Sequence, residues 1–424
     1  MRTLPIIELL NNDSFQDAVH SHLIFGPLFG NSSLGVEIFL VLSGLLAARS
    51  WIHAESERQG KSFPRQLVSF LVKRVFRLFP SVAFFIWLAQ SPLTKIYLPR
   101  FWNTMVSSCG WKGIASHLTF TNNWQSAPTC LGYLWYLGLD MQMYAVAPIL
   151  LFALAAKPKL GAQVLVALIV ISSGLRAIWC RRYNICNQSD VDIPFISYPN
   201  QTDANLTAIY KGLWDIYSRP CTKSGPFFIG LLTGFVSTSV KLSIPAPLRK
   251  VLNMASILGC LFGIFGILPE YWYPDAGNTL YNTIYTAIFR SLFAACISWQ
   301  ILYLVNWRSL PDSKIVSIMA KLTFQAYLLH MPMVYLFNHS RYLQSAEGPC
   351  ATECAVRQKK GNLCSGFRQR VKRIILSADA LNVKNSLHLT FSRRIPKNES
   401  LRQVRYDVPI ALFSNSCTGK RLNY

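Results

Sequence analysis

The sequence predicts an all-α polytopic membrane protein: about eight transmembrane helices with lumenal loops and a basic C-terminal tail. Hydrophobic residues make up 51% of the 424 residues and charged residues 14%, and the apolar residues lie in blocks. Blocks of about 20 residues are the length that crosses a bilayer. Basic residues cluster in alternate loops between the blocks, and cysteines and glycosylation motifs fall in the other loops. Helices fit these blocks, because a bilayer offers no water to open backbone groups.

Eight apolar segments define the predicted spans. In chain order they cover roughly residues 34–52, 67–92, 134–156, 160–178, 225–241, 250–268, 284–305 and 315–337. The chain then divides into a lumenal N-terminal segment, 1–33, a membrane domain, 34–338, and a basic tail, 339–424, which we expect to be disordered because it has many charges and no spanning block.

The net charge of +23 lies mostly in short loops and in the tail. The loops after the first, third and fifth spans are basic, which places them in the cytosol by the positive-inside rule. This distribution argues against a nucleic-acid partner and for the lipid bilayer. Eight spans starting from an outer amino terminus put the basic tail outside, so either one span is miscounted or the tail is atypical.

The remaining loops are predicted to be lumenal or extracellular. N-glycosylation motifs begin there at Asn12, Asn31, Asn187, Asn200, Asn205 and Asn338. Several cysteines also fall in these loops, and among their possible pairings we favour Cys109 with Cys130. These features fit the endoplasmic reticulum and the plasma membrane equally well.

Five stretches carry a resemblance to a known family. They are GVEIFLVLSGLL at 35–46, RVFRLFP at 74–80, WYLGLDMQMY at 135–144, WDIYSRP at 214–220 leading into GPFFIGLLTG at 225–234, and LTFQAYLLH at 322–330. In this order they resemble the acyltransferase family 3 proteins, and within them the animal branch called nose-resistant-to-fluoxetine proteins.

The resemblance implies a membrane O-acyltransferase that moves an acyl group from a CoA thioester to a hydroxyl on a lipid or other small acceptor. It implies acyl-CoA as a co-substrate and no bound cofactor. The animal branch is also associated with lipid and drug transport, so a carrier without catalysis is the alternative. A third reading is an inactive remnant, because the family's base-bearing first span has no counterpart: residues 1–33 match the loop that follows that span, and we expect truncation at both ends.

Two arginines are candidates for binding the donor. Arg74 and Arg77 lie three residues apart at the cytosolic start of the second span, so they share one helix face. The guanidinium fork matches phosphate oxygens. Ordinary arginines that extend to the membrane surface are the alternative.

The candidates for catalysis are ionisable residues within the predicted spans. Asp140, Glu37 and His330 are the predicted catalytic residues, because a carboxylate or imidazole inside a span must face a partner or a substrate path. Helix pairing is the alternative for His330.

Three further residues lie near Asp140 in the sequence. Gln142, Tyr144 and Trp135 are predicted to bind substrate, and Asp140 and Tyr144, four residues apart, are expected to face the bundle interior together. An aromatic belt for Trp135 and plain packing for Tyr144 are the alternatives. No cysteine or histidine pattern with metal spacing is present, so no metal is expected.

Overall fold

The computed structural model describes most of the predicted membrane domain. The described residues are 22–54, 60, 62–125, 130–186, 204–240, 242–269, 279–307, 314–338, 389–390 and 405–406. Residues Met1–Gln344 form one compact unit and Ser345–Tyr424 a second.

The first unit is a bundle of helices. Short helical turns also occur at Pro99–Phe101, Trp102–Val106, Asn122–Trp124 and Gly132–Leu134. The helices are α1 Phe25–Gly30, α2 Leu34–His53, α3 Phe63–Ala89, α4 Pro92–Tyr97, α5 Trp111–Leu118, α6 Trp135–Ala156, α7 Pro158–Arg182, α8 Ala204–Ser218, α9 Pro220–Lys223, α10 Gly225–Ser239, α11 Ala246–Phe265, α12 Thr279–Trp307 and α13 Lys314–Asn338.

Each of the eight predicted spans coincides with a helix: α2, α3, α6, α7, α10, α11, α12 and α13. Five of them are long and apolar enough to cross a membrane, namely α2, α6 with the turn before it, α7, α11 and α12. Helix α10 is apolar but has only 15 residues. Large apolar side chains such as Trp87, Val170 and Val251 point outward, as expected for a surface that faces lipid. The prediction of an all-α polytopic membrane protein is confirmed.

Helices α2 and α10 cross very closely at the centre of the bundle. A Cβ atom on Gly230 would lie 2.1 Å from the carbonyl oxygen of Val41, and one on Gly44 would lie 2.2 Å from that of Phe227. Glycine is needed at these positions because any side chain would enter the backbone of the neighbouring helix. This crossing fixes where α2 presents its polar side chains to α6 and α3.

The connection between α3 and α6, which we call the outer segment, packs over the start of α6. It is closed by a disulfide between Cys109 and Cys130, so the predicted bridge is confirmed. A second disulfide joins Cys180 to Cys186 at the end of α7. Within the outer segment, His117 is 4% exposed and its Nε2–H donates to the carbonyl oxygen of Cys130 over 2.8 Å.

The stability of this segment is expected to fall in mild acid. Burial lowers the pKa of His117 below its usual 6.5, so the folded state holds the ring neutral while the unfolded state takes up a proton. The contribution of His117 to the free energy of unfolding is therefore fully present above about pH 6.5 and declines as the pH drops below that value. Thermal unfolding of the wild type at neutral pH and in mild acid measures this loss. His117→Gln keeps an amide donor, and an equal loss in that variant would contradict the assignment.

Most predicted glycosylation sites lie outside the residues whose side chains are described: Asn12, Asn187, Asn200, Asn205 and Asn338. Asn31 is described, and the structure argues against its glycosylation. Its side chain is 7% exposed, and Nδ2, the atom that would carry the glycan, donates to the carbonyl oxygen of Ile264 and to Tyr285 Oη. At this position Asn31 links α11 and α12 by hydrogen bonds and is not free to carry a glycan.

The described residues of the second unit are two short antiparallel strands. Strand β1, Leu389–Thr390, pairs with β2, Arg405–Tyr406. The predicted disorder of the tail, 339–424, concerns residues outside the described ranges apart from this pair.

Candidate functional site

Three polar side chains from three helices meet inside the bundle, and we call them the Asp140 cluster: Ser43 of α2, Arg74 of α3 and Asp140 of α6. Asp140 is 3% exposed. One of its carboxylate oxygens accepts a hydrogen bond from Ser43 Oγ, and the other forms an ion pair with the guanidinium of Arg74. Arg74 Nη2 also donates to Ser43 Oγ over 3.2 Å. These contacts compensate the buried charge of Asp140, and Arg74 Nε is the one nitrogen of the cluster that is buried without a hydrogen-bond partner.

Two aromatic rings hold Arg74 in place. The guanidinium lies over the ring of Tyr144, 3.9 Å from its centroid, and that ring stacks almost parallel on Phe70 at 4.4 Å. Phe70 and Arg74 are four residues apart on α3, and Asp140 and Tyr144 are four apart on α6. Each helix therefore presents its own pair on one face. Asp140 and Tyr144 face the interior together, as the sequence predicted. Tyr144 positions Arg74 rather than facing the cavity described next.

A cavity of about 650 Å³ opens beside the Asp140 cluster. Ser43, Arg74, Arg77, Trp135 and Asp140 all line it. Its walls include residues from Ser33, which precedes α2, to Leu46 within it, a distance of about 20 Å at the rise of an α-helix. Helix α13 closes the opposite side with polar and aromatic side chains, among them Lys321, Gln325 and Tyr327. The cavity therefore runs along the helices and combines apolar walls with three cationic side chains and one carboxylate.

Glu37 lies in a separate group of buried charges. Its side chain is 0% exposed, and one carboxylate oxygen accepts from both Lys223 Nζ and Arg290 Nη1, the latter over 2.7 Å. We call Glu37, Lys223 and Arg290 the Glu37 cluster. Tyr217 separates it from the cavity: its ring lines the cavity and has Lys223 Nζ at 4.1 Å from its centroid. Glu37 thus holds helices together, and its predicted catalytic role stays a prediction without support from its position.

Gln142 and His330 also lie outside the cavity lining. Gln142 exchanges hydrogen bonds with the side-chain amide of Asn123, and it accepts from Trp124 Nε1 over 3.0 Å. It fastens the outer segment to α6. His330 contacts the carbonyl oxygen of Tyr327 on its own helix, and its ring meets that of Tyr133 edge-on at 5.2 Å. Helix packing is the role that these contacts support.

Several residues of the site were not singled out from the sequence. Ser43 is one of them, and its Oγ donates to Asp140. Lys223, Arg290 and Arg176 are buried cations that the sequence analysis passed over. A usable signal existed for Arg176 and Arg290, because each interrupts an apolar block, where a charge is costly. Within the described ranges, no group of three or more His, Cys, Asp or Glu side chains lies close enough to hold a metal ion.

Comparison with known proteins agrees with this architecture. The family 3 profile, described as an acyltransferase domain, matches residues 10–347. The chain is 54% identical over 338 residues to Regulator of hypoxia-inducible factor 1 of Caenorhabditis elegans, which covers 80% of the chain and 66% of the relative. It is 25% identical over 358 residues to Nose resistant to fluoxetine protein 6 of the same organism, covering 77% of the chain and 41% of the relative.

The chain thus spans just under two thirds of the first relative and less than half of the second. No solved structure matches it significantly. The profile covers every described helix of the bundle, from α1 to α13, together with the Asp140 cluster and the cavity beside it. On the extent of this match, the chain belongs to acyltransferase family 3.

Proposed function

We propose that the protein transfers an acyl group from a CoA thioester to a hydroxyl on a small or lipid acceptor. The observation that carries this proposal is the cavity, which places two arginines, a serine and a carboxylate along one continuous wall. The reaction forms an ester bond and breaks the thioester bond, and the hydroxyl proton ends on the CoA thiol. Such a reaction needs groups that bind the phosphates of the donor and groups that orient the hydroxyl.

Arg77 is the better candidate for binding the donor. Its side chain is exposed toward the cavity, and among the described residues it has no carboxylate partner. Lys321 of α13 lines the same cavity. Arg74, by contrast, is occupied by Asp140 and Tyr144. We therefore assign phosphate binding to Arg77 with Lys321, on the side of the basic loops, and a positioning role to Arg74.

Asp140 is the candidate for orienting the acceptor. Its carboxylate now accepts a hydrogen bond from Ser43 Oγ at the cavity wall. An acceptor hydroxyl entering the cavity can take the same place and be directed at the thioester carbon. Trp135, which also lines the cavity and is buried, supplies an apolar surface for the acceptor or the acyl chain.

One observation favours the alternative function of a lipid carrier. Among the described residues that line the cavity, none is a histidine, the usual base for hydroxyl acylation. A carrier needs the same cavity but no base. The two functions differ in whether the lipid is modified.

The test uses the full chain in lipid nanodiscs with acyl-labelled CoA, measuring release of the CoA thiol and label in the lipid fraction. We expect Arg77→Gln to raise KM for the thioester about tenfold, the loss of one charge-assisted hydrogen bond. Arg65→Gln, an exposed arginine earlier on α3, should leave KM unchanged. Absence of thiol release with the wild type, together with Asp140-dependent uptake of unmodified lipid, would establish the carrier instead.

A further inference from the structure

The outer half of the bundle contains more buried positive charge than the described acidic residues neutralise. Arg176 of α7 and Lys223 of α9 are each 0% exposed, and Arg290 of α12 is 8% exposed. Both Arg290 and Lys223 pair with Glu37. Arg176 interacts electrostatically with Glu37, Arg290 and Lys223, but it makes no ion pair within the described part of the chain. Three cations therefore share one carboxylate.

Arg176 also has hydrogen-bond donors without acceptors. Its Nη2 donates to Ser173 Oγ over 2.9 Å and to Ser291 Oγ over 2.6 Å. Its Nε and Nη1 are buried and have no hydrogen-bond partner, and neither has Ser172 Oγ, four residues earlier on the same face of α7. A buried guanidinium with two unmade hydrogen bonds is costly, so these groups call for an acceptor.

The amino terminus of α10 lies at the same place. A Cβ atom on Gly225, the first residue of this 15-residue helix, would be 3.2 Å from Ser291 Oγ and 3.7 Å from Ser172 Oγ. The first N–H groups of a helix have no partner within the helix, and its dipole is positive at this end. In α10, Pro226 has no N–H and Phe228 N–H donates to the carbonyl oxygen of Ser224, so the N–H groups of Gly225 and Phe227 are the ones available to an anion. Arg176 and the start of α10 thus both approach Ser291 Oγ, and Ser172 Oγ lies beside the start of α10 as well.

From this convergence we infer that Arg176, Ser172 and the start of α10 bind a compact inorganic anion, of which chloride is the abundant example. Loss of the proton from Lys223 would still leave two guanidinium groups facing one carboxylate, and arginine stays charged in proteins. The anion supplies the missing negative charge and the missing acceptor together. Helix N-termini bind anions by this combination of N–H groups and dipole.

The site is distinct from the cavity beside Asp140. Arg176, Lys223, Arg290 and Ser172 do not line that cavity. Because Arg176, Ser172 and Lys223 are each at most 1% exposed, the ligand must be small, and a phosphate ester or a lipid headgroup is disfavoured. The role of the anion is to hold α7, α10 and α12 together, whatever reaction the cavity performs.

The decisive experiment compares anions on the purified full chain in detergent. Replacing gluconate by chloride at about 150 mM should raise the Tm of the wild type by about 4 °C, because a ligand that binds only the folded state stabilises it by mass action. Arg176→Met should have a lower Tm and lose this dependence on chloride. Arg181→Met, an exposed arginine on the same helix, should retain it.

Direct binding to the wild type keeps the test independent of whether Arg176→Met folds. Excess line width of the chloride-35 NMR signal, reversed by added bromide, is the expected result. A wild-type Tm equal in chloride and gluconate, with no excess line width, would overturn the inference.

Discussion

Arg74→Met is expected to cost the folded bundle about 3–5 kcal/mol, the range found when one partner of a buried ion pair is removed. The variant leaves the Asp140 carboxylate buried with Ser43 as its remaining described partner. It also removes the cation that lies over the ring of Tyr144. Unfolding of the detergent-solubilised protein, followed by circular dichroism, measures the loss. Arg65→Met, an exposed arginine on the same helix, is the matched control and should stay within about 0.5 kcal/mol of the wild type.

The double variant Arg74→Met with Asp140→Leu separates stability from function. Replacing a buried ion pair with apolar side chains of similar volume is often neutral or stabilising, so the double variant should recover most of the lost stability. If the proposed function holds, neither variant transfers acyl groups. A double variant as unstable as Arg74→Met alone would show that the loss comes from packing around Tyr144 and not from an unpaired charge.

The helices could be predicted from the sequence because their signal is local. Blocks of apolar residues mark α2, α6, α7, α11 and α12 without reference to any other part of the chain. The sequence also placed Asp140 and Tyr144 on one inward face, since helical spacing alone decides that. Helical spacing also puts Gln142, two residues from Asp140, on a different face, and in the structure it is hydrogen-bonded to Asn123.

The partners of the site residues could not be predicted, because they come from distant parts of the chain. Glu37 pairs with Lys223, 186 residues later, and with Arg290, 253 residues later. Asp140 meets Arg74 over a separation of 66 residues. Spacing along one helix says which residues share a face, but the choice of facing helix depends on packing. Glu37 and Asp140 therefore looked equivalent in the sequence, although only Asp140 lines the cavity.

Packing at the centre of the bundle decides these pairings, and Gly230→Ala tests it. The new Cβ would meet the backbone oxygen of Val41 at 2.1 Å, and backbone cannot move aside as a flexible side chain can. Helices α2 and α10 must separate, which we expect to cost about 3 kcal/mol or more in the free energy of unfolding. Since α2 also carries Ser43 and Glu37, the separation disturbs the Asp140 cluster and the Glu37 cluster together.

The size of the Gly230→Ala effect can be separated from the ordinary cost of changing a glycine in a helix. A Cβ atom on Gly174 of α7 would meet no neighbouring side chain or helix within 4 Å, so Gly174→Ala should lie within about 1 kcal/mol of the wild type. Chemical unfolding of both variants in one detergent gives the comparison. If Gly230→Ala were as stable as Gly174→Ala, the two helices would not be in backbone contact. The pairing of Asp140 and Glu37 with their partners would then need another cause than the close crossing of α2 and α10.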